Sequence, residues 1–308
     1  MYTHKYSVVV PVFNSQDIIA QTVARIHTFF SQRAIIFEII LVNDGSSDNS
    51  WQVIAQLAKK HSEVIAINLL KNYGQHNANM CGFRQACGDY IITMDDDLQN
   101  PPEEIDKLIN SINKGFDLVI GKFATKQHSF MRRLGSKFVG CINRKVFAVD
   151  TKLVLSNFRI IHCDVIARVC QDKSFVPYIP GLLLKYSANR SNVLVKHELR
   201  TIGKSNYTWS KILRLVANIL FNHSSIPLRY TAAFGFIITM FSFSFSLFYL
   251  LDAFIYGTNI PGWTSLAVML SFFSGFLILL LSIVGEYMVR ILRELSTQNS
   301  YEVKEIIQ

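Results

Sequence analysis

Residues 88–104, GDYIITMDDDLQNPPEE, hold the densest set of side chains able to do chemistry. The β-forming run Tyr90–Met94 ends in three consecutive carboxylates. Successive side chains of a strand point to opposite faces, so Asp95 and Asp97 share one side and Asp96 takes the other. Gln99 returns to the first side if the chain stays extended. Two carboxylates and an amide oxygen converging at a strand end make a hard-oxygen site for Mg2+ or Mn2+. An isolated Asp-x-Asp reads equally well as a solvated acidic turn. Pro101-Pro102 stops the strand and Glu103-Glu104 opens a helix, as expected after a proline pair.

The elements that must position these carboxylates follow from hydrophobic pattern. Tyr6–Val12, Phe37–Val42, Val64–Leu70 and Tyr90–Met94 are short continuous apolar runs, the signature of buried parallel strands. Helices are predicted at Asp17–Phe30, capped by Asn14-Ser15, from Ser47 or Asp48 to about Lys60, and at Asn77–Ala86. Gly45 allows the tight turn after the second strand. This alternation predicts an α/β, doubly wound, mostly parallel sheet. Ligands in such sheets bind at the carboxyl ends of strands, where Asp44 and the pair Asp95/Asp97 both fall, lining one crevice. Asp44 there could hydrogen-bond a nucleoside base or ribose, while a metal on the later pair neutralises a diphosphate and acts as a Lewis acid on the leaving group. The sequence NDGSSD is also good turn and cap chemistry, so a purely structural Asp44 stays open.

The 308-residue chain is half hydrophobic and carries a net charge of +9, from 31 Lys+Arg against 22 Asp+Glu. That balance suits an anionic partner. Nucleic acid is excluded as that partner, because no stacking platform or DNA-binding motif accompanies the charge. The five cysteines show no metal-binding spacing and read as thiols of a reducing compartment. The N-terminus lacks the apolar segment of a signal peptide and reads as a first strand. In residues 121–147 basic residues, among them Lys122, Arg132 and Arg133, interleave with Phe130, Leu134 and Phe138, the pattern of a basic amphipathic helix at a membrane interface. An ordinary core-facing helix with a solvated basic face is the competing reading. Lys122, Arg132 and Arg133 are candidates for a lipid phosphate. Residues 205–228 form a second amphipathic segment. Thr231–Leu251 and Ser265–Gly285 carry no charge, and each reaches the roughly 20 residues that span a bilayer. Arg and Lys flank this pair and are missing from its connecting loop, which predicts a hairpin with both ends cytoplasmic. The expected layout is a catalytic domain over 1–204, an interface helix over 205–228, a transmembrane hairpin over 229–289 and a cytoplasmic tail over 290–308.

The ordered set VVVPVFN, EIILVNDGSSDNSW, NYGQHNA, GDYIITMDDDLQNPPEE, RTIGKSNYTWSKILRL, IPLR and GEYMVRILRE resembles family-2 glycosyltransferases of GT-A fold, and within them the polyisoprenyl-phosphate branch. The resemblance covers nearly the whole chain. It implies a membrane enzyme that transfers one sugar, with inversion, from a nucleotide-sugar donor to a polyisoprenyl phosphate, undecaprenyl phosphate in a bacterial inner membrane, with Mg2+ or Mn2+ as cofactor. UDP-glucose is the default donor. Products of this kind feed cell-surface polysaccharide modification. Members also form oligomers, and the state of this chain stays open. By the same resemblance Pro11, Val12, Asn14 and Asp44 cradle the nucleotide. Asp95, Asp97 and Gln99 hold the metal and diphosphate. Arg200 and Lys204 close over the phosphates. Ser15-Gln16 departs from the Asn-Glu usual after the first strand. Asn157, in Ser156-Asn157-Phe158-Arg159, stands where some relatives carry aspartate. A sugar hydroxyl acceptor needs a carboxylate base, whereas a lipid phosphate is already anionic and needs only alignment. Asn157 therefore fits a phosphate acceptor. A processive polysaccharide synthase is the rival reading, weakened because no tryptophan follows Gln-x-x-Arg. A non-catalytic scaffold of the same fold is the other.

Overall fold

The computed structural model describes residues 4–123, 153–172, 177–198 and 300–308, with single positions and short runs between 230 and 291. The chain divides into two units, residues 1–212 with 298–308, and residues 213–297.

Unit one is built on an eight-stranded sheet of order β7-β5-β6-β4-β1-β2-β3-β8. Its centre is the parallel set β3 (Val64–Leu69), β2 (Phe37–Asn43), β1 (Tyr6–Val12) and β4 (Tyr90–Thr93). These are the continuous apolar runs, and their burial on both faces explains that composition. Val8, Val10 and Val12 of β1 join one core with α1 (Ile19–Ser31), α2 (Ser50–Lys60) and α4 (Ile105–Ile112). Val9 joins the other, with α3 (Gln75–Gln85), α5 (Cys163–Cys170) and α6 (Ile179–Tyr186). The sheet is thus covered on both faces, as a doubly wound fold requires.

The flanks are mixed rather than parallel. β6 (Arg159–His162) runs antiparallel to both β4 and β5 (Leu118–Phe123). β5 pairs in parallel with β7 (Arg190–Val195). Beyond β3, the sheet is closed by an antiparallel β8 (Val303–Ile307). The end of the segment expected as a C-terminal tail therefore supplies an edge strand of the catalytic sheet.

Three local expectations change. Helix α1 begins at Ile19 with no side-chain cap. Asn14 and Ser15 instead donate their backbone N–H groups to Ser46 Oγ (3.0 Å) and Ser50 Oγ (2.8 Å), tying the two strand-end loops together. Helix α3 starts at Gln75, two residues early, because Gly74 takes φ +90° and turns the chain directly into it. Gly121–Phe123, read as the start of a basic amphipathic segment, belong to β5. The remainder of that segment, and residues 205–228, lie outside the described residues.

In unit two, the described positions between 230 and 291 are helical. Leu266, Leu270, Leu277, Leu281, Val284, Met288 and Ile291 are all exposed. Their steps of three, four and seven residues place them along one helical face. Among the described residues no helix is long and apolar enough to cross a membrane, and most of the two expected spans falls outside those residues.

Candidate active site

The carboxyl ends of β1, β2 and β4 meet at one edge of the sheet, and the acidic turn lies there. The expected strand stops at Thr93 and Asp96-Asp97 form a turn, so the turn rather than strand alternation sorts the three aspartates. Asp95 Oδ1 accepts from Gln75 Nε2 and from Asn157 Nδ2, both at 2.7 Å. Asp96 turns the other way, accepting from Ser15 Oγ and from the Phe13 N–H at 3.3 Å. Asp97 Oδ1 caps the turn by accepting from the Gln99 N–H at 3.1 Å. Leu98, next in this turn, adopts the left-handed φ +57°.

Antiparallel β6 brings Asn157 to this edge. Thr93 at the end of β4 pairs with Arg159 at the start of β6, so the residues just before Arg159 meet those just after Thr93. The Arg159 guanidinium is buried and donates to Thr93 Oγ1 (3.1 Å), to the Ser156 carbonyl (3.4 Å) and to Asn157 Oδ1 (3.2 Å). Asn79 Nδ2 also donates to Asn157 Oδ1, at 3.3 Å. The Asn157 amide is held at both ends. Its oxygen faces two donors and its nitrogen faces Asp95 Oδ1, a chain running Arg159–Asn157–Asp95.

Charge is concentrated here at low solvent access. Burial, then the neighbouring Asp97 charge, pushes the Asp95 carboxyl above the usual range, with the Asn157 and Gln75 hydrogen bonds opposing. Burial pushes Asp96 up to about 6 against the Ser15 hydrogen bond. Burial brings the Arg159 guanidinium down to about 10, partly offset by the charge of Asp95. The charge of Asp97 raises the carboxyls of Asp95 and Asp96, Asp95 adds to the rise at Asp96, and a hard divalent cation would relieve that repulsion.

Asp44 sits buried at the end of β2. Its Oδ1 accepts from the Tyr73 N–H (2.7 Å) and its Oδ2 from the Gly74 N–H (2.9 Å). Burial pushes it up to about 6 despite these bonds. Its carboxylate therefore clamps the 70–74 loop to the end of β2, a cross-loop role different from the turn or cap role that the sequence offered as the structural reading. Gly45, next in line, has φ +63°, and a Cβ there would lie 2.4 Å from the backbone of Lys71 and Asn72, so only glycine allows this approach. Pro11 and Val12 are buried at the end of β1. Asn14, at φ +53°, accepts from the Ser47 N–H at 2.9 Å.

Residues 7–165 match the domain described as glycosyl transferase family 2. The chain belongs to that family. It is a glycosyltransferase. Along its length it is similar to the undecaprenyl-phosphate 4-deoxy-4-formamido-L-arabinose transferase of Klebsiella pneumoniae (strain 342), 31% identical over 99% of this chain and 94% of that protein. The protein of the same name from Proteus mirabilis (strain HI4320) is 32% identical over the same shares. Among solved structures, mannosyl-3-phosphoglycerate synthase from Rubrobacter xylanophilus shares the fold at TM-score 0.51 and 12% identity, over 70% of this chain and 72% of that one. Glucosyl-3-phosphoglycerate synthase from Mycobacterium tuberculosis, in complex with Mn2+, UDP and phosphoglyceric acid, does so at TM-score 0.50 and 14% identity, over 71% and 77%. The GT-A architecture expected from the motifs is therefore present.

Within this glycosyltransferase, the structure brings together Pro11, Val12, Asn14, Asp44, Asp95, Asp97, Gln99 and Asn157 at one sheet edge. Lys122 stands exposed on β5. Arg132, Arg133, Arg200 and Lys204 lie outside the described residues. The chain leading to Arg200 is nonetheless anchored at the acidic turn, since the Glu198 N–H donates to the Gln99 carbonyl at 3.0 Å. Sequence reasoning missed Gln75, Asn79, Thr93 and Arg159. Gln75, Thr93 and Arg159 belong to motif segments and Asn79 lies one residue beyond one, but only the antiparallel placement of β6 and the early start of α3 gather them around Asn157 and Asp95.

Proposed function

We propose that this glycosyltransferase moves a single sugar from a nucleoside diphosphate donor to undecaprenyl phosphate. The observation that carries the acceptor class is Asn157. Its amide is fixed between Arg159 and Asp95 where a base would otherwise stand, and an amide takes no proton. A phosphate acceptor needs none removed: its anionic oxygen attacks the anomeric carbon, the carbon–oxygen bond to the donor diphosphate breaks, and the nucleoside diphosphate leaves. The names of the relatives point the same way, since theirs are transferases to undecaprenyl phosphate.

In this reading Asp95, Asp97 and Gln99 hold Mg2+ or Mn2+, which would neutralise the leaving diphosphate. The Mn2+ and UDP in the mycobacterial synthase support that choice. Gln75 and Asn157 orient Asp95, and Arg159 supplies the buried positive charge behind it. Asp44 holds the 70–74 loop against the nucleotide with Pro11, Val12 and Asn14. Arg200 and Lys204 follow the Glu198 anchor and close over the phosphates, while Lys122, Arg132 and Arg133 receive the lipid phosphate. The exposed apolar row of unit two faces lipid and fixes the enzyme to the bacterial inner membrane, with the catalytic unit on the cytoplasmic side. For the sugar, 4-deoxy-4-formamido-L-arabinose, named in the relatives, stands ahead of glucose.

The test compares undecaprenyl phosphate with undecaprenol as acceptor, across pH. Transfer to the phosphate alone, without a kinetic group whose deprotonation switches activity on near neutrality, supports the reading. Comparable transfer to the alcohol would overturn it.

A further inference from the structure

We infer that the C-terminal segment Ser300–Ile307 is a working part of the donor site and that Tyr301 is a positioning residue for it. The inference rests on reading the cleft between Asp44 and Asp95 as the donor site. The argument begins with α3. This helix touches the cleft with its first half, where Gln75 holds Asp95 and Asn79 holds Asn157. Its second half meets the C-terminal segment. Arg84 Nη1 donates to Tyr301 Oη at 3.2 Å, the Arg84 guanidinium lies 5.4 Å from the Tyr301 ring centroid, and Cys81 hydrogen-bonds the same hydroxyl. Tyr301 is buried in the core that α3 shares with β1 and β2. Burial pushes its hydroxyl up to about 12, so it remains neutral across the physiological range.

The same segment also reaches the 70–74 loop. β8 pairs with β3 from Ala66↔Ile307 to Leu69↔Val303, and the Leu70 N–H donates to the Glu302 carbonyl at 3.0 Å. Leu70 is the residue from which the loop departs toward Tyr73 and Gly74, the two amides on Asp44. The segment therefore fixes both routes by which the chain leaves β3 for the cleft: the loop at its root, through Glu302, and the helix at its far end, through Tyr301. Neither contact touches the donor. Both set where Gln75, Asn79 and the Asp44 clamp stand. The segment follows unit two in the chain.

The test uses the full-length protein in detergent, as wild type, Tyr301→Phe and Tyr301→Ala, assayed well below the Tm of each. Tyr301→Ala is expected to raise the KM for the nucleotide sugar by about tenfold, the loss typical of removing a residue behind a binding group, with the KM for the lipid unchanged. Tyr301→Phe, which keeps the ring against Arg84, is expected to recover most of that loss. Hydrogen–deuterium exchange supplies a readout independent of catalysis: amides of 71–82 should exchange faster in Tyr301→Ala, and those of β1 should not. Faster exchange there in a protein that transfers no sugar would leave the positioning intact and overturn the donor-site reading instead. A donor KM and an exchange pattern both equal to wild type in Tyr301→Ala would overturn the inference. So would equal rises in the KM for donor and lipid, or faster exchange throughout the sheet, the signs of general destabilisation.

Discussion

Asn157 separates two kinds of chemistry at the scale of a single residue. As a neutral amide between Arg159 and Asp95 it passes hydrogen bonds from a buried cation to a half-buried carboxylate without adding charge. Asn157→Ala removes that link and is expected to lower kcat by about tenfold to a hundredfold. Asn157→Asp would bring a second carboxylate against Asp95 and is expected not to restore the rate. Full activity in Asn157→Asp, measured as kcat for lipid glycosylation, would instead identify a missing base. Asp44 makes a pH prediction of its own. Its folded pKa of about 6 lies above its ordinary 3.8, so the protonated form is the one the fold favours. The stabilising contribution is complete below about pH 4 and lost as pH rises through 6, a change on the order of 3 kcal/mol at most. Asp44→Asn should therefore gain in Tm relative to wild type as pH goes from 4 to 7, followed by thermal unfolding, and a constant difference would contradict this. Asp95 and Asp96 do face different partners, as alternation would have them, but the strand stops at Thr93 and it is the turn at Asp96-Asp97 that parts them. The partners of Asp95 were not legible in the sequence, because Gln75 and Asn157 approach from 20 and 62 residues away, and local pattern carries no record of that pairing.

Among the elements, α3 bears the most function for its length. Gly82 lets it lie close on β1: a Cβ there would come within 2.3 Å of Val9 Cγ1. Gly82→Ala is expected to destabilise the protein by about 1–3 kcal/mol through overpacking. It should also weaken nucleotide-sugar binding, because a displaced helix carries Gln75 and Asn79 with it. A lowered Tm with unchanged donor affinity, read by calorimetric titration, would show that α3 tolerates the shift. The four central strands were readable because burial on both faces leaves continuous apolar runs such as VVVPV. The flanking strands were not. In β8, VKEII, nearly every side chain is exposed, and its place is decided by backbone pairing with β3 and by Tyr301 two residues earlier. The capping role expected of Asn14 and Ser15 was displaced by a stronger competitor, the cross-loop bonds to Ser46, Ser47 and Ser50.

On the scale of the whole molecule, two units of opposite surface character share one chain. The catalytic unit hides its apolar residues under helices on both sheet faces, while unit two displays a row from Leu266 to Ile291. An apolar row of that length is costly in water and favourable in lipid. The uncharged runs Thr231–Leu251 and Ser265–Gly285 made this division legible in composition. The return of the chain to complete the sheet was not, since a five-residue strand leaves little trace in composition. The most direct test of the account is label transfer by the purified protein in detergent, with undecaprenyl phosphate, Mn2+ or Mg2+, and a panel of radiolabelled nucleotide sugars that includes the 4-deoxy-4-formamido-L-arabinose and glucose donors, with Asp97→Ala in parallel. The account predicts label entering the lipid fraction from one donor and lost in Asp97→Ala. Absence of lipid label from every donor, in a protein that still binds nucleotide, would contradict it.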